Sequence, residues 1–441
     1  MNYKECLLYL EHIQNLGIKF GLDNVRTILE AFDNPHHLYP SILVGGTNGK
    51  GSVCAMLTQV LGLHGFRVGL FTSPHLVKVE ERIRIGSHLI SIPHFCQTFS
   101  LLKAKIEDLV NKHKLLSPPT YFELLTCLAL LYFAQQNVDI AVLEVGMGGK
   151  YDATNVVNPL LSVITTISAE HQKYLGESLQ QIALEKAGII RQGVPVVCGV
   201  EKKIPYLAIK EKAVKLRAPF YGVFERERSF QAIKGKKRYS FVYKSVNDNY
   251  KFSPHLAGYH QGKNGAVVIA AAEQLSQTWK KLEKKKIIQG LEEAKWEGRL
   301  EMALDKPLVI LDGAHNEEGA RALGDYICQF IPSPLILLVA MMRDKEIKKI
   351  ADILFPLAEK VIVTRFPYFR AALPEEIRQQ ASKYGDRIVL EPDPHQAFKL
   401  ALWMAKKQGA VVVTGSLYLV GEIKKILLAE KLNKAKDESF G

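Results

Sequence analysis

The sequence predicts an α/β protein of two domains, each built on a mainly parallel sheet. Three observations predict it. Short apolar, β-rich runs alternate with helical patterns along most of the chain, the mark of crossover units. The alternation breaks once, between about 222 and 253, and starts again after Leu300. The 441 residues exceed the size at which a single hydrophobic core stops growing.

Each element follows in order. The first residues, up to about 20, read as an amphipathic helix with Leu7, Leu10 and Leu16 on one side. Glu5 and Glu11 interrupt any secretory pattern. "SILVGG" (41–46) is a buried strand followed by a helix from about Lys50, and "RVGLF" (67–71) is the next strand. "TYFELLTCLALLYFAQQN" (120–137) is a long apolar helix and "DIAVLEVG" (139–146) a buried strand. "LLSVITTI" (160–167), a helix around "LQQIALEKAGII" and the strand "VPVVCGV" continue the series. "SFQAI", "RYSFVYKS" and "NYKFS" alternate apolar and polar residues, as a small antiparallel patch does. Charged helices over 266–294 lead into "KWEGRLEM". "PLVILDGAH", "PLILLVAMM", "KVIVTRF" and "AVVVTGSLYLV" are read as the strands of a second, Rossmann-like α/β domain. The boundary falls near 295–300, giving domains 1–295 and 296–441, with a polar, frayed end.

Composition narrows the class. Apolar content of 47% and charged content of 23% are those of a globular protein, and no run is long enough for a membrane helix. Six scattered cysteines form no metal knuckle or redox motif, which points to a reducing, cytoplasmic compartment. The net charge of +13 suits small anionic substrates. The clusters "KGKKR" and "KKLEKKK" read as solvated surface, since neither is interleaved with aromatics as in a single-strand binder.

The chemistry starts at "ILVGGTNGKGSVCAML" (42–57), where a buried strand runs into a glycine-rich turn and then a helix. Glycines 45, 46, 49 and 51 let backbone amides approach phosphate oxygens. The helix N-terminus adds unpaired N–H groups, Lys50 reaches the terminal phosphates, and Ser52 offers a hydroxyl to Mg²⁺. This makes the first sheet P-loop-type, although only two residues separate Gly46 from Gly49 and Gly51 stands between Lys50 and Ser52. Glu144 ends the strand "AVLEVG", and a carboxylate in so apolar a run needs a partner such as Mg²⁺. It lies at the carboxyl end of a parallel strand, where open α/β sheets bind ligands. His171 follows another such strand. Asp312 and His315 end the first strand of the second domain, where Asp312 reads either as part of an interdomain site or as a helix N-cap.

Together these stretches resemble the dihydrofolate synthase and folylpolyglutamate synthase group of the Mur-ligase superfamily. The resemblance rests on "GGTNGKGS", "TSPHL" with "ERI", "TYFE", "LEVGMGGKYDATN", "EHQKYLGES", "ALEKAGII", "HQGKNGA", "WEGRLE", "LDGAHN" and "GSLYLVGE", in order over nearly the whole chain. The shortened phosphate loop is similar to that of this lineage. The resemblance implies an ATP-dependent amide ligase adding L-glutamate to dihydropteroate, to folates or to both through an acyl phosphate. By position it implies Ser73, Glu144 and His171 as magnesium ligands with Ser52 beside them, for two Mg²⁺ ions, and it leaves room for a monovalent cation. Gly49, Lys50, Gly51 and Ser52 match the phosphate loop, and Asn264, Arg299 and Asp312 match further ATP contacts. Lys186 matches a lysine this superfamily commonly carbamylates; the other reading is an ordinary helix lysine near phosphates. His315 matches a residue orienting phosphate or glutamate, and with Lys50, Lys186 and Asp312 it makes up the expected catalytic set. His12, Ile13, Gln14 and Asn15, together with Thr120, Tyr121, Phe122 and Glu123, match regions that contact the pterin, with Tyr151 nearby. Tyr121 and Phe122 read equally as core packing.

The chain departs from the family pattern in places. Lys150 and Tyr151 stand where Arg and Leu are usual, Glu170 where Asp is, Gly265 where Ala is, and "DKE" (344–346) replaces "DKD". A lysine is a point charge without the bidentate fork of arginine. None of these changes removes a catalytic group, so they bear on substrate preference. The expectation is a bifunctional, monomeric, cytoplasmic enzyme with no nucleic-acid or membrane partner. The alternatives are folylpolyglutamate synthase activity alone, a cell-wall precursor ligase, or a nucleotide switch or nucleic-acid binder that merely uses a phosphate loop.

Overall fold

Three sheets organise the chain. The computed structural model describes all residues except 15–20, 116, 237 and 440–441, and describes no side chain for 173 or for 431–439. Asn15 and Leu16 therefore lie outside the described residues. The first sheet has eight strands, in the spatial order His88–Leu89, Ile83–Ile85, Val68–Phe71, Ile140–Glu144, Ser41–Gly45, Leu161–Ile164, Val196–Cys198 and Phe220–Gly222. The first two strands are antiparallel additions at one edge and the remaining pairs are parallel. The central strands are buried at every residue, because helices cover both faces.

The chain enters this sheet in the middle. Ser41–Gly45 pairs with Ile140–Glu144 on one side and Leu161–Ile164 on the other, and Val44 lies opposite Glu144. The carboxyl end of Ser41–Gly45 is thus the switch point of the sheet, the place where a ligand crevice opens. The Tyr121–Gln135 helix packs on one face; the Lys50–Leu63 and Tyr259–Thr278 helices cover the other. The Tyr121–Gln135 helix is started by a capping box: the Glu123 N–H donates to Thr120 Oγ1 (3.3 Å) and the Thr120 N–H to Glu123 Oε2 (2.7 Å).

Ser229–Lys234, Tyr239–Lys244 and Asn249–Phe252 form the antiparallel patch. Its buried Phe241 and Phe252 press on the Tyr259–Thr278 helix at Gly262 and Gly265. A Cβ at Gly265 would lie 2.6 Å from the Phe252 ring, so glycine fits here where a larger residue would force the ring to shift.

The third sheet runs Glu301–Asp305, Leu308–Leu311, Ala410–Thr414, Leu335–Val339, Lys360–Val363 and Ile388–Leu390. It is parallel except for its first pair. Its fully buried central strands, with helices on both faces, make the second domain Rossmann-like, as expected.

Two local expectations need correction. "AVVVTGSLYLV" is not one strand: it stops at Thr414, Gly415 takes φ +95°, and Leu417 opens the helix Leu417–Ser439. In the helix Tyr3–Gln14 the buried residues are Cys6, Leu10 and Ile13, while Leu7 and Leu8 are exposed. The 6/10/13 spacing fits the helical period as well as the leucine spacing does, and a cysteine packs as a small hydrophobe.

Candidate functional site at the domain interface

The glycine-rich turn is built by its neighbours. Gly46 has φ +140° and Gly49 φ +86°, conformations that favour glycine. A side chain at Gly46 would meet Thr165 Oγ1 at 2.0 Å, and one at Gly49 would meet Asn264 Oδ1 at 2.5 Å. The Thr47 N–H donates to Thr166 O (2.8 Å) and the Asn48 N–H to Thr166 Oγ1 (3.0 Å), while Asn48 O accepts from Thr165 Oγ1 (2.7 Å). The turn is therefore pinned to the end of the adjacent strand, and the Lys50–Leu63 helix points its N-terminus at the crevice.

Two ammonium groups sit on this turn. Lys50 Nζ donates to the carbonyls of Gly46 (3.1 Å) and Thr47 (3.0 Å). Lys186 Nζ donates to the same Gly46 carbonyl (2.8 Å). Burial, and then the charge of Lys50, bring the Lys186 pKa down to about 7. Behind the turn lies a buried relay. Gln261 Nε2 donates to Ser52 Oγ (3.2 Å), and Asn264 Nδ2 donates to Gln261 Oε1 (2.9 Å). The indole nitrogen of Trp296 closes over Gly51, 2.8 Å from where a Cβ would stand.

Glu144 faces a pocket lined by Gly51, Ser73, Pro74, Trp296 and Arg299. It is 5% exposed, and its Oε2 accepts from the Ser73 N–H (3.0 Å). Burial raises its pKa; Lys50, the Ser73 amide, Arg299 and Arg82 oppose that rise. A buried carboxylate beside hydroxyls and a glycine-rich turn suits a hard divalent cation. Among the described residues no group of three His, Cys, Asp or Glu side chains converges. A cation here would accordingly take serine hydroxyls and phosphate oxygens along with Glu144. The donor set thus fits magnesium better than a metal that prefers nitrogen or sulfur.

The second domain brings its strand ends to the same crevice. Asp312 is not a helix N-cap: Asn316 caps Glu317–Phe330, its Oδ1 accepting from the Gly319 N–H (2.9 Å). Asp312 instead accepts from the Leu300 N–H (2.9 Å) on Oδ2 and the Ala314 N–H (2.9 Å) on Oδ1. It thereby holds Leu300 at φ +47° and fixes the linker that carries Arg299. The charge of Arg299 reaches both Glu144 and Asp312.

Glu170 gathers the other expected groups. His315 Nε2 lies 3.1 Å, Lys345 Nζ 3.0 Å and His171 Nε2 3.8 Å from its Oε1. Burial would raise this carboxyl, but His315, Lys345 and His171 hold it well below the usual carboxylate range. The second ring nitrogen of His315 faces Gly313 O (2.8 Å). Burial lowers the His171 pKa to about 4, so this ring is neutral and has a lone pair to give. His171 itself sits at φ +52°, heading the short helix Gln172–Leu175. The charges of Lys50 and Lys186 reach it. The structure thus forms two subsets, Ser73 with Glu144 and His171 with Glu170, with Lys50 close enough to influence both.

The expected substrate residues divide. Tyr121 lies under the Arg82 guanidinium (5.3 Å), and Phe122 packs on Phe71 and against Gly146. Thr120 and Glu123 are occupied by the capping box. Ile13 is buried in the core, Gln14 is half-buried, and His12 is exposed at the end of its helix. Tyr151 is 45% exposed, with Lys150 Nζ 4.7 Å from its ring centroid. Sequence reading missed Gln261, Trp296, Arg82, Lys345, Asn48 and Asn316 as site residues. Gln261 could have been found three residues from Asn264 on one helix face; the rest depend on contacts between distant segments.

The family model described as Mur ligase middle domain matches residues 44–272, and that described as Dihydrofolate synthetase, C-terminal domain, matches residues 301–427. A Bacillus subtilis protein named dihydrofolate synthase/folylpolyglutamate synthase is 33% identical over 434 residues, covering 96% of this chain and 99% of that one. A Mycobacterium tuberculosis folylpolyglutamate synthase complexed with ADP superposes with a TM-score of 0.90 at 28% identity, over 97% of this chain and 99% of that one. Escherichia coli FolC in complex with DHPP and ADP gives a TM-score of 0.84 at 26% identity, over 97% and 98% of the two chains.

Proposed function

The chain belongs to the dihydrofolate synthase/folylpolyglutamate synthase family of ATP-dependent ligases, and from that premise we propose that it joins L-glutamate both to dihydropteroate and to folates. The observation that carries the reading is the meeting, at one crevice, of a phosphate-binding turn and the strand ends of a second domain.

In this reading a carboxylate oxygen of the acceptor attacks the γ-phosphorus of ATP. The bond to the β-phosphate bridging oxygen breaks and ADP forms. The glutamate amine then attacks the acyl carbon, the carbon–oxygen bond to phosphate breaks, and phosphate leaves while the amine gives up its proton. Both reactants in the first step are anions, so the site has to offset their repulsion. Lys50 and the amides of Gly49, Gly51 and Ser52 hold the phosphates, with Asn264, Arg299 and Asp312 shaping the nucleotide's surroundings. Ser52, Ser73, Glu144 and His171 would hold magnesium, which when bound neutralises charge on the phosphate oxygens. His315 and Lys345, drawn in by Glu170, stand on the second-domain side, where glutamate would approach. Tyr121 and Phe122 supply flat faces for a pterin, with Arg82 above the tyrosine.

Lys186 suits carbamylation. With its pKa near 7, a large share of the amine is neutral at physiological pH, and its nitrogen lone pair can add to CO₂ with loss of one N–H proton to water. The resulting anion would be repelled by the Gly46 carbonyl and would swing toward the cation site. The site is completed within one chain, which supports a monomer. Among the described residues no helix is long and apolar enough to cross a membrane, and the net charge of +13 suits anionic substrates in the cytoplasm.

The test is ADP release with glutamate plus dihydropteroate, a folate or a UDP-linked sugar acid as acceptor. The reading expects release with the first two only. Release with the sugar acid alone would overturn it, and release with folate alone would reduce it to a folylpolyglutamate synthase.

A further inference from the structure

The phosphate-binding turn reaches the helix-capping residue of the second domain through Asn48. Asn316 Nδ2 donates to Asn48 Oδ1 (2.9 Å), and Asn48 Nδ2 donates to Asn316 Oδ1 (3.3 Å). The two carboxamides form a closed ring of reciprocal hydrogen bonds across the interface. Its polarity is set from outside, because Asn316 Oδ1 also accepts from the Gly319 N–H (2.9 Å) as the helix N-cap. That contact turns Asn316 Nδ2 toward the turn and leaves Asn48 Oδ1 as its acceptor. Asn48 Nδ2 is shared with Glu318 Oε2 (3.3 Å), and Glu318 Oε1 in turn meets Lys202 of the first domain (2.5 Å). On its own side, Asn48 is immobilised at both backbone polar atoms by Thr165 and Thr166. It stands two residues before Lys50.

We propose that Asn48 and Asn316 form an amide latch that couples the conformation of the phosphate-binding turn to closure of the second domain. Neither side chain needs to touch the reacting atoms; both are positioning residues. The threonine contacts that hold the backbone of Asn48 also shape the turn, so its side-chain register and the placing of the turn's amides go together. Nucleotide binding therefore favours the latched, closed arrangement, and closure keeps water from the acyl phosphate. This inference rests on the ligase reading for its chemical consequence, but not for its effect on closure.

The variant Asn316→Asp separates the latch from the cap. Aspartate caps a helix as well as asparagine does, yet it has no N–H to give Asn48 Oδ1 and opposes it with a second acceptor. Asn48→Ala removes the partner and leaves the cap untouched. Two readouts are needed: ADP formed per amide bond made, and the compaction that a non-hydrolysable ATP analogue with Mg²⁺ produces in small-angle scattering. The latch predicts one ADP per amide in the wild type and about threefold or more in either single variant, with compaction lost and the thermal midpoint little changed. It also predicts that Asn316→Asp adds nothing in the Asn48→Ala background. Wild-type coupling and compaction in both variants would overturn it, as would fully additive effects in the double variant. Compaction that depends on Asn316 in an enzyme releasing no ADP with either pterin acceptor would sustain the latch while refuting the ligase reading.

Discussion

Glu144 and Asp312 are the same kind of residue in the same kind of place. Each is a carboxylate at the carboxyl end of a buried parallel strand, each is nearly inaccessible, and burial raises the pKa of each. Their partners differ. Asp312 gives one oxygen to each of two backbone N–H groups, so its bonding is absorbed by the fold. Glu144 accepts one backbone N–H and turns toward a pocket it shares with Ser73 and Arg299, where the charge of Lys50 also reaches it. The contrast shows how one residue type can be spent on the fold or left open toward a pocket. What decides is whether backbone donors occupy both of its oxygens or leave one free for a ligand.

Substitutions should pull the two apart. The largest effect is expected at the ligand end. Glu144→Ala or Lys50→Ala should lower turnover by about 10²–10³-fold or more, with little change in denaturant midpoint; wild-type turnover by either would refute its assignment. Asp312→Ala should act mainly on the fold. It leaves the buried Leu300 and Ala314 N–H groups unpaired, at about 1–3 kcal/mol for each group, and chemical denaturation should show the loss. A stable Asp312→Ala protein would mean that Leu300 keeps its φ of +47° without the clamp.

The amide isosteres sharpen the comparison. A carboxyl whose folded-state pKa is raised makes folding less favourable as pH rises from its unfolded value through its folded one. Glu144→Gln removes that penalty and keeps an acceptor for the Ser73 N–H. The variant should be inactive yet at least as stable as the wild type above pH 4.5, its margin widening with pH up to the folded value. Asp312→Asn should instead lose stability, because its NH₂ would face a backbone N–H. Equal stability changes in the two isosteres would erase the distinction.

The smallest expected effect concerns Lys186. Its folded pKa of about 7 lies below the ordinary 10.5, so the folded chain binds fewer protons between those values. Stability should therefore rise with pH across that window, and Lys186→Met should flatten the rise. An unchanged pH profile would show that burial does not depress this lysine. Intact-mass measurement in bicarbonate buffer would detect the carbamate.

Much of this contrast was legible in the sequence, because the turn is written in adjacent residues. Gly46, Gly49, Lys50 and Ser52 read as a phosphate site without any knowledge of the fold, and Glu144 stands out against an apolar run. At Asp312 the sequence fits an interdomain role and a helix cap equally. The sequence shows Asn316 four residues later, but not that Leu300 would bend back to meet the aspartate. The same limit hid Gln261 behind Ser52 and Asn316 opposite Asn48, pairs separated by 209 and 268 residues. Apolar composition alone could not separate strand from helix at "SLYLV", where a single glycine at φ +95° makes the break. Gly265 shows the converse: the need for a glycine there becomes visible only when Phe252 is seen against it.

The most direct test of the account is a crystal structure of the enzyme with a non-hydrolysable ATP analogue and Mn²⁺ in place of Mg²⁺, read by anomalous scattering. The account predicts a manganese peak between the phosphates and the Ser73–Glu144 pair, with none within bonding distance of Asp312. A peak on Asp312, or phosphates held away from residues 46–52 with no metal at Glu144, would contradict it.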